Sequence, residues 1–321
     1  MTFEYLRRLN RPKYGWDVEC YLAAKEPLKT HTIADDALSG GLMPGLTILG
    51  GVASAGKSSL AVHIATEVAQ SGKRVIYFTL DDTWGNITAR SMSCWSVKNQ
   101  GLESQGLTVV PFEWSTVIKG PGTELQLPEG LQNLSAYAFN ARHSNTVLAD
   151  AALYDDMVAP NLAIIDNVNT TTQIEEIVRT VMADGDKPDL VIIDYIQQYQ
   201  TGTPDIDKQE YTRVSQVATN LQMLAFDTQI PFLVLSSLKK LDAKDEPSLD
   251  WFRGSGVVGY ASWAALILTK GEIDTPQFKE VALHTVKNKA GRTGILVPAK
   301  LKGAYSTFIQ NGGVSMPLHR L

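Results

Sequence analysis

The sequence predicts an α/β fold: a mostly parallel central sheet flanked by helices, with a C-terminal antiparallel hairpin. Three observations predict it. Short, continuously apolar runs recur at residues 46–49, 74–80, 162–166, 190–194 and 231–236, the pattern of strands buried on both faces. Helical stretches fall between them at 59–70, 171–183 and 209–228, and such alternation makes consecutive strands parallel. The run at 74–80 leads into Asp81 and that at 190–194 ends in Asp194, at the strand ends where open α/β sheets bind ligands.

Taken in order, residues 1–30 form an N-terminal arm with a basic cluster (Arg7, Arg8, Arg11, Lys13) and the aromatics Tyr5, Tyr14, Trp16 and Tyr21. Such an arm packs on its own domain or docks on a neighbouring subunit. Residues 31–321 form one domain. A glycine turn after His31 leads to the strand at 46–49, then to Gly51-Val52-Ala53-Ser54-Ala55-Gly56-Lys57-Ser58 and a helix-like run. Strand, glycine-rich loop and helix in that order, with G-x-x-x-x-G-K-[ST] in the loop, is a phosphate-binding loop. Small residues let the chain wrap tightly enough for consecutive N–H groups to face a phosphate. The positive end of the helix adds to the attraction. The expected binding set is Gly51, Ala53, Ser54, Ala55, Gly56, Lys57, Ser58 and Ser59, with Lys57 on the β and γ phosphates and Ser58 on Mg²⁺.

The strand at 74–80 ends at Asp81-Asp82. From 83 to 160 the pattern is hard to read: 86–99 suits a helix, then Gly and Pro punctuate the middle. Trp84, Trp95 and Trp114 are expected in the core rather than as base-stacking platforms. Beyond this, 162–166, 171–183, 190–194, 209–228 and 231–236 read β-α-β-α-β. A further strand at 264–269 precedes a closing hairpin of 281–286 and 294–299. Val191-Ile192-Ile193-Asp194 complements the phosphate loop: Asp194 is expected to hold the Mg²⁺ shell from the strand next to it.

Composition sets limits on function. At 321 residues with 44% hydrophobic content the chain has enough apolar material for a buried core. A formal charge of −5 excludes coating nucleic acid with the whole surface but leaves room for a local basic channel. Cys20 and Cys94 have no partners at metal spacing, so neither a disulfide framework nor a zinc site is expected. With no apolar run near the roughly 18 residues needed to span a bilayer, and no signal peptide pattern, the expected location is cytoplasmic.

From about residue 31 to 310 the chain resembles the motor domain of the DnaB-type replicative helicases. The resemblance rests on LSGGLMPGLTILGGVASAGKSS, VIYFTLDD, LVIIDYIQQY, IPFLVLSSLKK, WFRGSG, HTVKNKAGRTG and LKGAYSTF, in the family's order and approximate spacing. It implies a RecA-like P-loop NTPase without the family's separate helical N-terminal domain. It also implies ATP and Mg²⁺ as cofactors, single-stranded DNA as a partner, a homo-oligomeric ring, typically a hexamer, and contacts with replication or loader proteins. By the same resemblance Asp81 polarises the attacking water, where the family usually has the longer Glu, with Asp82 as a substitute. Ser236-Ser237 stands where the family has Ser-Gln, whose Gln links the γ phosphate to the DNA loops. Lys287 and Lys289 reach a neighbour's γ phosphate, and residues two apart on a strand point the same way. Arg253, Gly254 and Gly256, with Lys239 and Lys240, contact the DNA backbone. Two functions follow: an ATP-hydrolysing motor on single-stranded DNA, or a recombinase-like or loader-like assembly protein in which ATP controls oligomerisation without unwinding.

Overall fold

The computed structural model describes residues 26–99, 111, 113–115, 144–239, 246–253 and 256–310. A short helix α1 (Ile33–Ala37), capped by the Thr32 side chain, precedes strand β1 (Gly45–Gly51) and helix α2 (Lys57–Gln70). Strand β2 (Val75–Thr79) leads to α3 (Trp84–Lys98), which Thr83 caps. After α4 (Ser144–Met157) come β3 (Leu162–Ile165), α5 (Thr171–Ala183) and β4 (Leu190–Asp194). The short α6 (Pro204–Asp207) and the long α7 (Glu210–Thr228) follow, then β5 (Pro231–Ser237) and α8 (Gly256–Ala261). The chain ends in β6 (Ala264–Asp274), β7 (Lys279–Asn288), β8 (Leu296–Lys302) and β9 (Thr307–Gln310).

Among the described residues these nine strands form one sheet in the order β3-β2-β4-β5-β1-β6-β7-β8-β9. The first six are parallel, and β7, β8 and β9 continue it antiparallel. The hairpin predicted for 281–299 is thus part of a longer meander. β9 is built from Thr307-Phe308-Ile309-Gln310, too short a run to stand out in the sequence. A second correction concerns Asp194: β5 lies between its strand and β1, so the acid is not on the strand adjoining the phosphate loop.

Strand parity explains how it reaches the loop nonetheless. Leu190 and Ile192 pack in the core on the α2 face of the sheet, with Leu60, Ile64 and Val68, whereas Val191 and Ile193 pack on the α5 and α7 face with Ile174, Val214 and Leu221. Because side chains alternate along a strand, Asp194 shares the face of Ile192 and points toward α2. Of the tryptophans, Trp95 is fully buried as expected, while Trp84 is 49% exposed at the open first turn of α3. Trp114 is partly buried and donates from Nε1 to the Gly303 carbonyl at 3.1 Å.

Helix α2 carries a histidine in the core. His63 is buried and its Nδ1 accepts from the Phe308 N–H in β9 at 3.2 Å. Burial, and then the charge of Lys98, push its pKa from 6.5 down to about 3. A folded pKa below the unfolded one means that the unfolded chain takes up the proton first. This stabilisation is present above pH 6.5 and is lost as pH falls toward 3. Between pH 7 and 5 it amounts to about 2 kcal/mol. Urea unfolding of the wild type and His63→Asn at the two pH values is expected to show that much less pH dependence in the variant; equal dependence would exclude the histidine as its source.

Candidate active site

The carboxyl ends of β1, β5, β4 and β2 lie side by side on one edge of the sheet, Gly51 paired with Ser237 and Thr79 with Asp194. Between β1 and α2 the loop turns back sharply. Ser54 sits in the left-handed region (φ 58°) and so does Gly56 (φ 100°). At Gly56 a Cβ would come within 2.5 Å of Leu301 Cδ2, because β8 and β9 close over the loop with Leu301 and Phe308. Glycine is needed there both for its backbone angle and for space. The N-terminus of α2 has no acid in its first turn and no side-chain cap, whereas α1, α3 and α5 are each capped by a threonine. Its leading N–H groups are therefore available to an anionic ligand.

Lys57 opens that helix and its Nζ donates to the Gly51 carbonyl at 2.9 Å and to Val52 O at 3.4 Å. Burial lowers its pKa, and the charges of Asp194 and Asp81 partly offset this. The ammonium therefore lies within the field of both acids that the sequence singled out. Asp194 is 1% exposed; burial pushes its pKa up, while hydrogen bonds from Tyr77 and Ser58 and the charge of Arg90 act the other way. Tyr77 donates its hydroxyl to Asp194 Oδ2 at 2.8 Å. The two predicted metal residues, Ser58 and Asp194, are thus close enough to interact. A hydroxyl and a desolvated carboxylate beside a phosphate-binding helix form an oxygen donor set suited to Mg²⁺, and a dication there would offset the burial of Asp194.

The acid pair after β2 is divided by its contacts. Asp82 is tied down: Asn86 Nδ2 donates to its Oδ1 at 2.6 Å, and Arg90 Nη1 lies 3.7 Å from its Oδ2. Asp81 is exposed and is held by one amide, Gln198 Nε2 to Oδ1 at 2.9 Å. Asp81 is therefore the acid free to engage a water. Ser59, placed in the binding set, has its hydroxyl committed to Arg90 Nη2 at 2.8 Å, which leaves its backbone N–H. Ala53 and Ser54 are exposed on the loop and Ala55 is buried beneath it.

The remaining predicted residues lie on two flanks. Lys239 and Arg253 stand where the chain beyond β5 leaves and returns: Lys239 N donates to Trp251 O, Arg253 N to Ser237 O, and Leu238 pairs with Phe252. The Arg253 guanidinium is exposed, 3.6 Å from Glu210 on α7, a pairing that solvent screens. Gly256 begins α8; Lys240 and Gly254 lie outside the described residues. Lys287 donates to the carbonyls of Gly259 and Tyr260 at 3.0 and 2.7 Å, and Lys289 lies 5.8 Å over the Trp263 ring. Both lysines therefore meet the 259–263 segment. They belong to the opposite edge of the sheet from the phosphate loop: Asn288 pairs with Ala264 and Ala264 with Thr47, whereas Gly51 pairs with Leu268. Four residues of strand, roughly 13 Å, separate the two rows.

Sequence reasoning did not assign roles to Tyr77, Arg90, Gln197 or Gln198. Tyr77 looks like any apolar strand residue, and only parity with Asp194 on the neighbouring strand could have found it. Arg90 is the one cation of α3 before its last residue, Lys98, which was a usable signal.

The sheet order and the phosphate loop define a RecA-like α/β fold of the P-loop class. The chain belongs to the DnaB-like helicase C-terminal domain family, whose model matches residues 130–310, more than half of its length. The phosphate loop lies outside that match, so motif and geometry identify it independently. Among solved structures the chain is similar to the ATPase domain of G40P, with 15% identity, 92% of this chain and 96% of that one covered, and a TM-score of 0.66. It is also similar to a DnaB-like replicative helicase described with its interactions with primase (14% identity, 95% and 69% covered, TM-score 0.69). A third is the KaiC-like protein PH0186 of the hyperthermophilic archaeon Pyrococcus horikoshii OT3 (13% identity, 90% and 100% covered, TM-score 0.54). Identities this low speak to fold alone. No curated protein matches the sequence. Among the described residues no helix is long and apolar enough to cross a membrane.

Proposed function

We propose that the protein is an ATP-hydrolysing, ring-forming motor on single-stranded DNA, of the DnaB-like type that acts in replication. The observation that carries this reading is the meeting of Lys57, Ser58, Asp194 and Asp81 on the sheet edge from which the Arg253 segment emerges. In this reading the loop from Gly51 to Ser59 holds the triphosphate, Ser58 and Asp194 hold Mg²⁺, and Asp81 orients the attacking water. Metal and triphosphate together supply charge neutralisation at the transferring phosphoryl group. Arg253 and Lys239, with Lys240, Gly254 and Gly256, contact the DNA backbone. Such contacts are sequence-tolerant and weaken with salt. Lys287 and Lys289 complete the site of the adjacent subunit, and the natural partners are replication or loader proteins.

Ser237 supports a second reading. With a short hydroxyl where an amide is usual, ATP could govern assembly on DNA without unwinding. Strand displacement on a forked substrate, measured beside ATP turnover and particle shape with ATP and single-stranded DNA, separates the two. Displacement by closed rings is the expected result. Turnover with filaments and no displacement would favour the assembly protein, and failure to bind ATP would reject both.

A further inference from the structure

Directly after Asp194 the chain makes one turn of 3₁₀ helix, Ile196–Gln198. Its last two residues point their amides in different directions. Gln198 donates to the Asp81 carboxylate at 2.9 Å. Gln197, only 8% exposed, reaches the end of β5: its Nε2 donates to Ser236 Oγ at 2.9 Å and to the Arg253 carbonyl at 3.1 Å, and its Oε1 accepts from the Ser237 N–H at 3.2 Å. Helix α7 fixes the same turn from behind, Arg213 Nη2 donating to the Gln197 carbonyl at 3.1 Å. Ile196 is fully buried between the two amides and the strand.

We propose that Gln197 and Gln198 are positioning residues that couple the nucleotide site to the Arg253 segment through this turn. The inference rests on the proposed ATP-dependent, DNA-binding function. Three features carry it. The side-chain amide of Gln197 bonds the Ser236 hydroxyl and the Ser237 N–H, so a long polar side chain reaches this strand end from the turn that follows the neighbouring strand. Its contact with Arg253 is to backbone, so it sets the path of the segment whatever the exposed guanidinium does. The turn is short: only the buried Ile196 separates Gln197 from Tyr195, and Asp194 precedes Tyr195, so the contacts to Asp81 and to the Arg253 carbonyl lie on one continuous stretch of chain along which a shift at the site would be passed. Gln198, by fixing Asp81, sets the orientation of the carboxylate toward water. A short carboxylate depends on such support, because its arc of useful positions is small.

The tests separate the two glutamines. Gln198→Ala is expected to lower kcat for ATP about 10-fold while KM changes less than about twofold, the split produced by misorienting a group that acts only in the transition state. Gln197→Glu keeps size and the acceptor for Ser237 N–H but removes the donor to Arg253. It is expected to leave turnover without DNA within about twofold, to abolish stimulation by a thymidine oligonucleotide, and to make the affinity for that oligonucleotide the same with ADP as with a non-hydrolysable ATP analogue. Gln197→Ala, compared at equal folded fraction by circular dichroism, should behave likewise. If Gln197→Glu retains the wild-type stimulation ratio and nucleotide-dependent affinity, or if Gln198→Ala retains the wild-type kcat, the coupling role is overturned while the motor reading stands. If the wild type neither hydrolyses ATP nor binds the oligonucleotide, the function itself falls, and this inference with it.

Discussion

Replacing Lys57 by Ala is expected to abolish ATP turnover, with a loss on the order of 10²–10³-fold or more, the scale seen when a preorganised charge donor is removed. In this protein the ammonium is partly buried, so its attraction for a phosphate is less screened than that of a surface lysine. It is also already oriented by the carbonyls of Gly51 and Val52, at the foot of an uncapped helix. Of the other described cations near the loop, Arg90 is held by Ser59, Ser306 and Asp82, and Lys270 is an exposed residue of β6. Steady-state hydrolysis by a purified preparation is the measurement. Turnover at the wild-type rate would remove the phosphate loop from the mechanism, however well the fold matches.

The second large effect comes from mixing. Lys287→Ala/Lys289→Ala is expected to be nearly inactive alone, and so is Lys57→Ala, yet an oligomer containing both is expected to recover part of the wild-type turnover. Recovery arises at the interfaces where an intact loop meets intact lysines. The geometry favours action between subunits over action within one, because each lysine pair sits on the sheet edge away from its own loop. Lys287 is held by two carbonyls of α8 and its pKa is lowered by burial and by Lys289, so it is a fixed donor rather than a freely solvated one. Lysine acts here as a point charge, without the fork that arginine would supply. If the double variant hydrolyses ATP as well as the wild type, or if dilution to monomer leaves turnover per subunit unchanged, the lysines have no role across the interface.

Much of this architecture was readable in the sequence because burial on two faces writes a simple code. Leu190 to Ile193 has to be a strand covered on both sides, and its alternation carries Asp194 to the α2 face. The phosphate loop was equally plain, since few backbones require that set of small residues before a lysine and a hydroxyl. What sequence did not show was which strand lies between which: β5 enters between β1 and β4 by long-range pairing that leaves no local trace. Gln197 and Gln198 were hidden for a related reason. Two adjacent glutamines look interchangeable, and only the 3₁₀ turn sends one to Asp81 and the other to Ser236. Trp84 misled because hydrophobicity predicts burial only on average, and the start of α3 lies at the open sheet edge.

The separation of phosphate loop and lysine pair gives each protomer a direction. On the proposed function one end receives and the other supplies, so the contact between copies would be head to tail, and such contacts repeat until the array closes on itself or runs on as a filament. In an open array of that kind the terminal loop would have no neighbour to complete it, so one protomer would hold nucleotide that it could not turn over. Closure removes that terminal defect. Turnover per subunit is therefore expected to climb with array length and to reach its full value when the last protomer meets the first, which turns catalysis into a gauge of ring closure.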